Sequence, residues 1–336
     1  MPPPVLTKRR FALVLLILLG VLALAVLFSL TVSGLPLDWK AAWTDPRSPD
    51  HDILFFSRLP RILLGILVGF ALSSGGVAFQ SLLRNPLADP YILGVSGGAA
   101  LGSVLAVSLG LPFTWVSTTA FLFSLGSLLL IYWIAQTRGR LPVPTLLLTG
   151  VIFNAFCFAL IMFFNSLVSF EKAHRIWYLM VGSLESESYG KILIVAAFIL
   201  VGFAILYVNS GKMNLLAMGD EAAEYLGVKV ERLRKLIFFA ASLMIGATVS
   251  LAGLIGFVGL FIPHMVRLIL GSDHRLLLPA SALFGGIFLV LADWLGRSLL
   301  AGEAYQTQLP VGVITALIGG PFFVFLVKRP SSRGRW

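Results

Sequence analysis

Apolar residues run along this chain in blocks of about 20, the length of a helix that crosses a hydrocarbon core. Short breaks rich in Gly, Pro and basic residues separate the blocks. Blocks and breakers together predict spanning helices near residues 11–32, 59–82, 91–109, 113–135, 145–168, 190–208, 236–255, 257–270, 277–296 and 310–327. The reading is an all-α, polytopic membrane protein with about ten transmembrane helices, forming one domain over residues 1–336. The eighth block is short, and Gly256, Gly259 and Pro263 interrupt it, which predicts a broken or re-entrant segment. The first block follows Lys8-Arg9-Arg10. It is too long for a signal peptide and lacks a small-residue cleavage site, so it is kept as the first span.

Composition supports this pattern and excludes a soluble domain. Of the 336 residues 58% are hydrophobic and 12% charged, where soluble domains carry about 25% charged residues. A net charge of +10 would suggest a nucleic-acid partner in a soluble protein, but here the basic residues lie in the breaks. Placing Lys8-Arg9-Arg10, Arg84, Arg138, Arg140, the Lys212–Lys235 loop, Arg275 and the Lys328–Arg335 tail on one side satisfies the positive-inside rule. Both termini and the 209–235 loop are then cytoplasmic. Three outer segments remain, at 33–57, 169–189 and 297–309. Trp39, Trp43, Trp177 and Tyr178 fit an interfacial aromatic belt there. Cys157 is the one cysteine and sits in an apolar block, so no disulfide or thiolate metal site is expected. No nucleophile–base pair, haem-ligand pattern or Walker A loop occurs, so the chain is not expected to hydrolyse ATP.

The polar residues that do interrupt the blocks fall into groups. Gly94, Gly98 and Gly102 share a helix face and suit close helix packing. Gly76, Gln80 and Arg84 share another, after which Pro86 and Pro90 end the helix. Arg58 and Arg61 flank Pro60 on the outer side, either as snorkelling anchors or as partners for carboxylates on another protein. Asp293 and Arg297, four apart, can pair on one face. Asp293 is the one carboxylate well inside an apolar block, whereas a proton-driven carrier would usually bury several. His264 and Arg267 share a face of the short eighth helix. A structural or gating role is favoured over metal binding, because no second His or Cys stands at ligand spacing. In the inner loop Asp220 is read as an N-cap and Gly227 as a stop. They bracket a short amphipathic helix whose Ala222, Ala223 and Leu226 face a partner groove while Glu221 and Glu224 stay solvated.

Four strings together resemble the permease subunit of the importers that carry iron chelates, haem and vitamin B12 on ATP hydrolysis. They are Arg58-Leu59-Pro60-Arg61, the run from Arg84 to Pro90 continuing through Leu93-Gly94-Val95-Ser96-Gly97-Gly98-Ala99, the run from Gly256 to His264 followed by Arg267, and Gly271-Ser272-Asp273-His274-Arg275. The resemblance covers nearly the whole chain. It implies a type II ABC importer permease fold in a bacterial or archaeal cell (inner) membrane, working as a homodimer with the pathway between the two copies. It further implies two cytoplasmic ATPase subunits that hold ATP and Mg, a periplasmic or lipid-anchored substrate-binding protein, and no cofactor on this chain. By the same resemblance Arg58 docks the binding protein and Arg297 is a second contact, with Arg61 a neighbouring candidate. Gly219, Asp220, Glu221, Ala222, Ala223, Leu226 and Gly227 form the coupling helix that meets the ATPase. Gln80, Arg84, Asn85, Pro86, Val143, Pro144, His264 and Arg267 are pathway or gate candidates. The implied cargo is a ferric siderophore, then haem or cobalamin; the rival class is an ion-coupled secondary carrier or channel. Two positions depart from the pattern: Gln308 stands where the family usually has a glutamate, and Leu141-Pro142-Val143-Pro144-Thr145 stands where the cobalamin permease has small hydroxyl residues.

Overall fold

Thr7 opens the first helix, its hydroxyl accepting from the Arg10 amide, and α1 (Lys8–Thr31) follows. The computed structural model describes residues 7–32, 37–299 and 308–328. Two short helices, α2 (Trp39–Thr44) capped by Asp38 and α3 (Pro49–Asp52) capped by Ser48, lead into a π-helical stretch, Ile53–Arg58. That stretch continues without a break into α4 (Leu59–Leu83). Arg84 ends α4 in the left-handed region, at φ 47°. Asp89 then accepts from the Tyr91 amide and starts a 3-10 turn, Pro90–Leu93, before α5 (Val95–Ser108). The rest of the chain forms α6 (Phe113–Ala135), α7 (Val143–Leu167), α8 (Phe170–Val181), α9 (Tyr189–Val208), α10 (Ser210–Leu216), α11 (Asp220–Tyr225), α12 (Val230–Ala252), α13 (Val258–Leu270), α14 (His274–Ser298) and α15 (Val311–Lys328).

Each of the ten predicted spans falls on one of these helices. Among the described residues, seven are long and apolar enough to cross a membrane: α1, α4 with its lead-in, α6, α7, α9, α12 and α14. α5, α13 and α15 are shorter apolar helices. The boundaries shift where tertiary burial extends a helix past its apolar block. α12 begins at Val230 rather than 236, because Val230, Leu233, Arg234 and Ile237 form one buried stripe. The outer segments hold α2, α3 and α8, which are too short or too mixed in polarity to register as blocks. Residues 300–307 of the outer segment 297–309, and the basic tail beyond residue 328, lie outside the described residues.

α4, α12 and α14 are mostly buried inside the chain, whereas only 6% to 33% of the apolar window is buried in α1, α6, α7 and α9. In a bilayer the exposed apolar faces meet lipid or another apolar helix, so the three buried helices form the bundle's centre. α4 packs most extensively on α14, α12 lies against α4 and α9, and α5 is sandwiched between α6 and α7. Small residues permit the α5–α6 approach, as the glycine spacing suggests: a Cβ on Gly98 would lie 1.7 Å from Ser127 Oγ, and one on Gly102 2.7 Å from Phe123 Cβ. Gly94 belongs to a different device, capping α5 at φ 89°. On α7 the buried positions are Leu146, Gly150, Cys157 and Ile161, a single stripe. Leu148, Val151, Ile152, Phe156, Phe158 and Phe163 of that helix are exposed among the described residues.

Candidate functional site

Polar side chains gather at the two ends of α4, separated by its 25 residues or roughly 37 Å of helix. At its first turn, Arg61 grips Asp293 of α14 with both Nε and Nη2, at 2.8 to 3.1 Å. Its Nη1 donates to Gln308 Oε1 at 2.8 Å. Arg297, one turn beyond Asp293, donates to the same carboxylate at 3.0 Å and to Ser29 Oγ of α1 at 3.0 Å. Arg58 is only 5% exposed and donates to the Leu30 carbonyl at 2.8 Å. One buried carboxylate thus faces two guanidiniums, with Arg58 close behind, and the cluster carries excess positive charge. The Asp293–Arg297 pair was legible from helix spacing. Arg61, 232 positions away, was not. Gln308 keeps an acceptor for Arg61 where a glutamate would add a charge.

At the other end the hub is Asp220. The sequence reading makes it the N-cap of α11, but Gly219 occupies that position and Asp220 is the first helical residue. The reason is competition: two cations lie within reach, so the carboxylate pairs with them rather than with its own backbone. It pairs with Arg84 at the end of α4 and with Arg234 Nη2 of α12 at 2.6 Å. Arg234 also contacts Glu231 at 3.1 Å, and Glu231 Oε2 accepts from the Leu141 amide at 2.8 Å. Gly227 (φ 82°) ends α11: its amide reaches Glu224 O, and the Val228 amide reaches Ala223 O, the paired bonds of a Schellman stop. A second difference concerns the outward face. Ala223 is completely buried in this chain and presents nothing to a partner. Met218, Tyr225 and Leu226, at 68%, 91% and 58% exposed, form the apolar surface instead. Glu221 and Glu224 are exposed, and Ala222 is half-buried.

Between the two ends, Gln80 and Arg267 come together: Arg267 Nη2 donates to Gln80 Oε1 at 2.9 Å, and the Gln80 amide points to Gly259 O at 3.5 Å. His264 is buried nearby in sequence, and its Nδ1 has no hydrogen-bond partner among the described residues. Among those residues, no three His, Cys, Asp or Glu side chains are grouped closely enough to hold a metal ion. Asn85 caps its own turn, accepting from the Leu87 amide at 2.9 Å. Val143 and Pro144 form the first turn of α7.

Two adjoining cavities, of about 350 and 230 Å³, share Tyr91 and Asn154 in their walls. Asp89, Val151, Gly256 and Phe257 also line the larger. Burial pushes the Asp89 carboxyl above the usual carboxylate range, against the opposing pull of the Tyr91 amide that it caps. Asn154 Nδ2 donates to Tyr91 O at 2.6 Å. The Tyr91 hydroxyl donates to Ile255 O at 2.8 Å and accepts from Ile255 N at 2.9 Å. One phenol therefore satisfies both backbone groups of a residue in the non-helical break between α12 and α13. Tyr91→Phe is expected to cost about 1–3 kcal/mol, since both buried groups lose their partner, read as a lowered unfolding midpoint in detergent. The sequence reading passed over Tyr91 and Asn154. The available signal was Asn154, a polar amide within an apolar span, where such groups bond across helices.

A bundle of ten apolar helices with a polar cluster at each end of its central helix is a multi-pass membrane protein. Residues 15–329 match the FecCD transport family, and the chain belongs to that family. It is 43% identical over 272 residues to the cobalamin import system permease protein BtuC of Halobacterium salinarum, covering 81% of this chain and 72% of that one. It is 36% identical over 322 residues to the hemin transport system permease protein HmuU of Yersinia pestis, covering 94% of each. A solved metal-chelate type ABC transporter in an inward-facing conformation superposes with a TM-score of 0.83 at 31% identity, covering 95% of this chain and all of that one.

Proposed function

We propose that this chain is the membrane-spanning permease subunit of an ATP-binding-cassette importer that moves a ferric siderophore or a related metal chelate, haem or cobalamin into the cytoplasm. The observation that carries the reading is α11. This helix and its flanks leave Met218, Tyr225 and Leu226 exposed, and Asp220 binds it to α4 and α12. A short helix with an apolar outer face and an ionic root in the bundle's centre suits a surface that receives force. The motive subunits are two ATPases, which hold ATP and Mg; this chain hydrolyses nothing. The relatives' names, for cobalamin and hemin import, support a bulky metal-chelate cargo.

In this reading the chain lies in the cell (inner) membrane with both termini cytoplasmic, and it pairs with a second copy. The exposed face of α7 supports that pairing, in which the pathway runs between the copies. Asn85, Pro86, Val143 and Pro144 then stand near its cytoplasmic mouth. A periplasmic or lipid-anchored binding protein delivers cargo to the end that carries Arg58, Arg61 and Arg297, whose excess positive charge attracts surface carboxylates. Arg61→Glu is expected to weaken that association, with partial rescue by a reversed charge on the partner. Unchanged association would reduce the cluster to an internal brace.

The deciding experiment reconstitutes the chain in liposomes with and without its ATPase. Transport is expected only with the ATPase and ATP. Uptake driven by an ion gradient alone would establish a secondary carrier instead. In the same assay Leu226→Glu is expected to leave membrane insertion intact and abolish ATP-driven uptake, because it places a charge in the apolar contact. Wild-type uptake would remove α11 from the docking surface.

A further inference from the structure

The Asp220 hub joins two segments that the sequence marks separately as gate candidates, and the joining groups are specific. One arm runs from Asp220 to Arg84, the last residue before the Asn85-Pro86 loop. The other runs from Asp220 to Arg234, on to Glu231, and from Glu231 Oε2 to the Leu141 amide, two residues before α7 begins. Resting on the importer reading, we infer that Arg234 and Glu231 are transmission residues: they carry displacement of α11 to the 141–144 segment, while Arg84 carries the same displacement to the 84–86 segment.

Three features make this chain of contacts a lever rather than a surface ion-pair network. Arg234 is 8% exposed, and a buried guanidinium that loses a carboxylate is left with an uncompensated charge. Asp220 and Glu231, whose side chains are 40% and 33% exposed, are the carboxylates that compensate it. Next, the segment that Glu231 grips is stiff. Thr137 and Arg140 exchange two backbone hydrogen bonds of 3.0 Å, around Arg138 and Gly139 at φ 49° and 78°, the two-residue turn with both central residues left-handed. Leu141 is completely buried, and Pro142 and Pro144 fix the chain as it enters α7. A pull on the Leu141 amide thus moves the start of α7 as a body. Lastly, Lys235 lies 5.7 Å from the centre of the Tyr132 ring, tying α12 to the end of α6 beside that turn. The competing route is simple packing: Ala223, also buried, would move α12 by contact alone, with the charges idle.

The test uses the full chain in lipid nanodiscs, in a Cys157→Ala background, with a nitroxide attached at Arg140→Cys and, separately, at the remote exposed position Arg47→Cys. Glu231→Ala is expected to give the Arg140 label a mobile spectral component absent from the parent protein and to leave the Arg47 label unchanged. Glu231→Gln keeps an acceptor for the Leu141 amide but loses the charge facing Arg234. It is expected to keep the Arg140 label immobile and still to lose coupling. In the ATPase complex both variants should continue to hydrolyse ATP, while transport per ATP falls about tenfold, within the range of coupling between sites. An unchanged Arg140 spectrum in Glu231→Ala, or unaltered transport per ATP in Glu231→Gln, overturns the relay. A wild-type complex that hydrolyses ATP without moving cargo overturns the importer reading itself, so the two failures are told apart.

Discussion

Replacing Asp293 by alanine is expected to destabilise the folded chain by about 3–5 kcal/mol, the cost of removing one partner from a buried ion pair. The carboxylate is 3% exposed and receives four hydrogen bonds from two guanidiniums. The side chains of Arg61 and Arg297 are 17% and 14% exposed, so solvent does little to replace the lost charge. Arg61→Met is expected to cost less, because Arg297 still neutralises Asp293. The order of the two variants matters more than either value. Unfolding midpoints in mixed detergent micelles give it, and Arg61→Met falling below Asp293→Ala would show that the carboxylate is not the keystone. The consequence for function follows from geometry. Asp293 fixes the direction of the guanidiniums proposed to meet a binding protein, so its loss should also loosen that surface.

Much of this architecture was legible because the bilayer leaves few choices: a segment that crosses must be a helix of about 20 apolar residues. The blocks at 113–135 and 190–208 therefore match α6 and α9 to within one residue at either end. Illegible parts share a physical cause. α8 mixes Glu171, Lys172 and Arg175 with Trp177 and a buried Ile176, so neither apolar length nor a polar break marks it. The first turns of α12 carry charges that read as loop. Only their burial against neighbouring helices makes them helical, and a single sequence holds no direct record of neighbours.

The site divides along the same line. Spacing within one helix gave Asp293 with Arg297, because four residues make one turn. Family strings pointed to Arg84 and Arg267, and the helix face shared with Arg84 pointed to Gln80. What joins them spans the chain: Gln80 meets Arg267 across 187 positions, and Glu231 meets Leu141 across 90. Asp220 shows how a local rule yields to a distant partner. An aspartate before a helix is a good cap, yet with Arg84 and Arg234 within reach its carboxylate does more as a bridge, and Gly219 takes the cap. Ala223 was misdirected for a related reason. Small apolar residues suit a partner groove and a tight internal contact equally well, and only the fold says which.

The other large effect is expected where α4 and α13 touch backbone to backbone. A Cβ on Gly76 would stand 1.9 Å from Gly259 O and 2.9 Å from Gly259 Cα. No side chain can swing aside to make room, because the obstacle is main chain. Gly259 is confined in turn, since its own Cβ would meet Pro90 Cγ at 2.3 Å and Leu72 O at 2.8 Å. Gly76→Ala must push α13 away, breaking the contacts of Gln80 with Gly259 and Arg267, and is expected to cost about 1–3 kcal/mol, as overpacking usually does. Gly76→Leu adds four carbons at a place where one does not fit, and is expected to abolish the folded species. Gly20, which has nothing within 4 Å of an added Cβ, supplies the control: Gly20→Leu should behave as the parent. The check is the yield of monodisperse protein on size exclusion in detergent. A parent-like peak for Gly76→Leu would mean that α4 and α13 do not approach as described, and with that the tether from Gln80 to Arg267 would be lost.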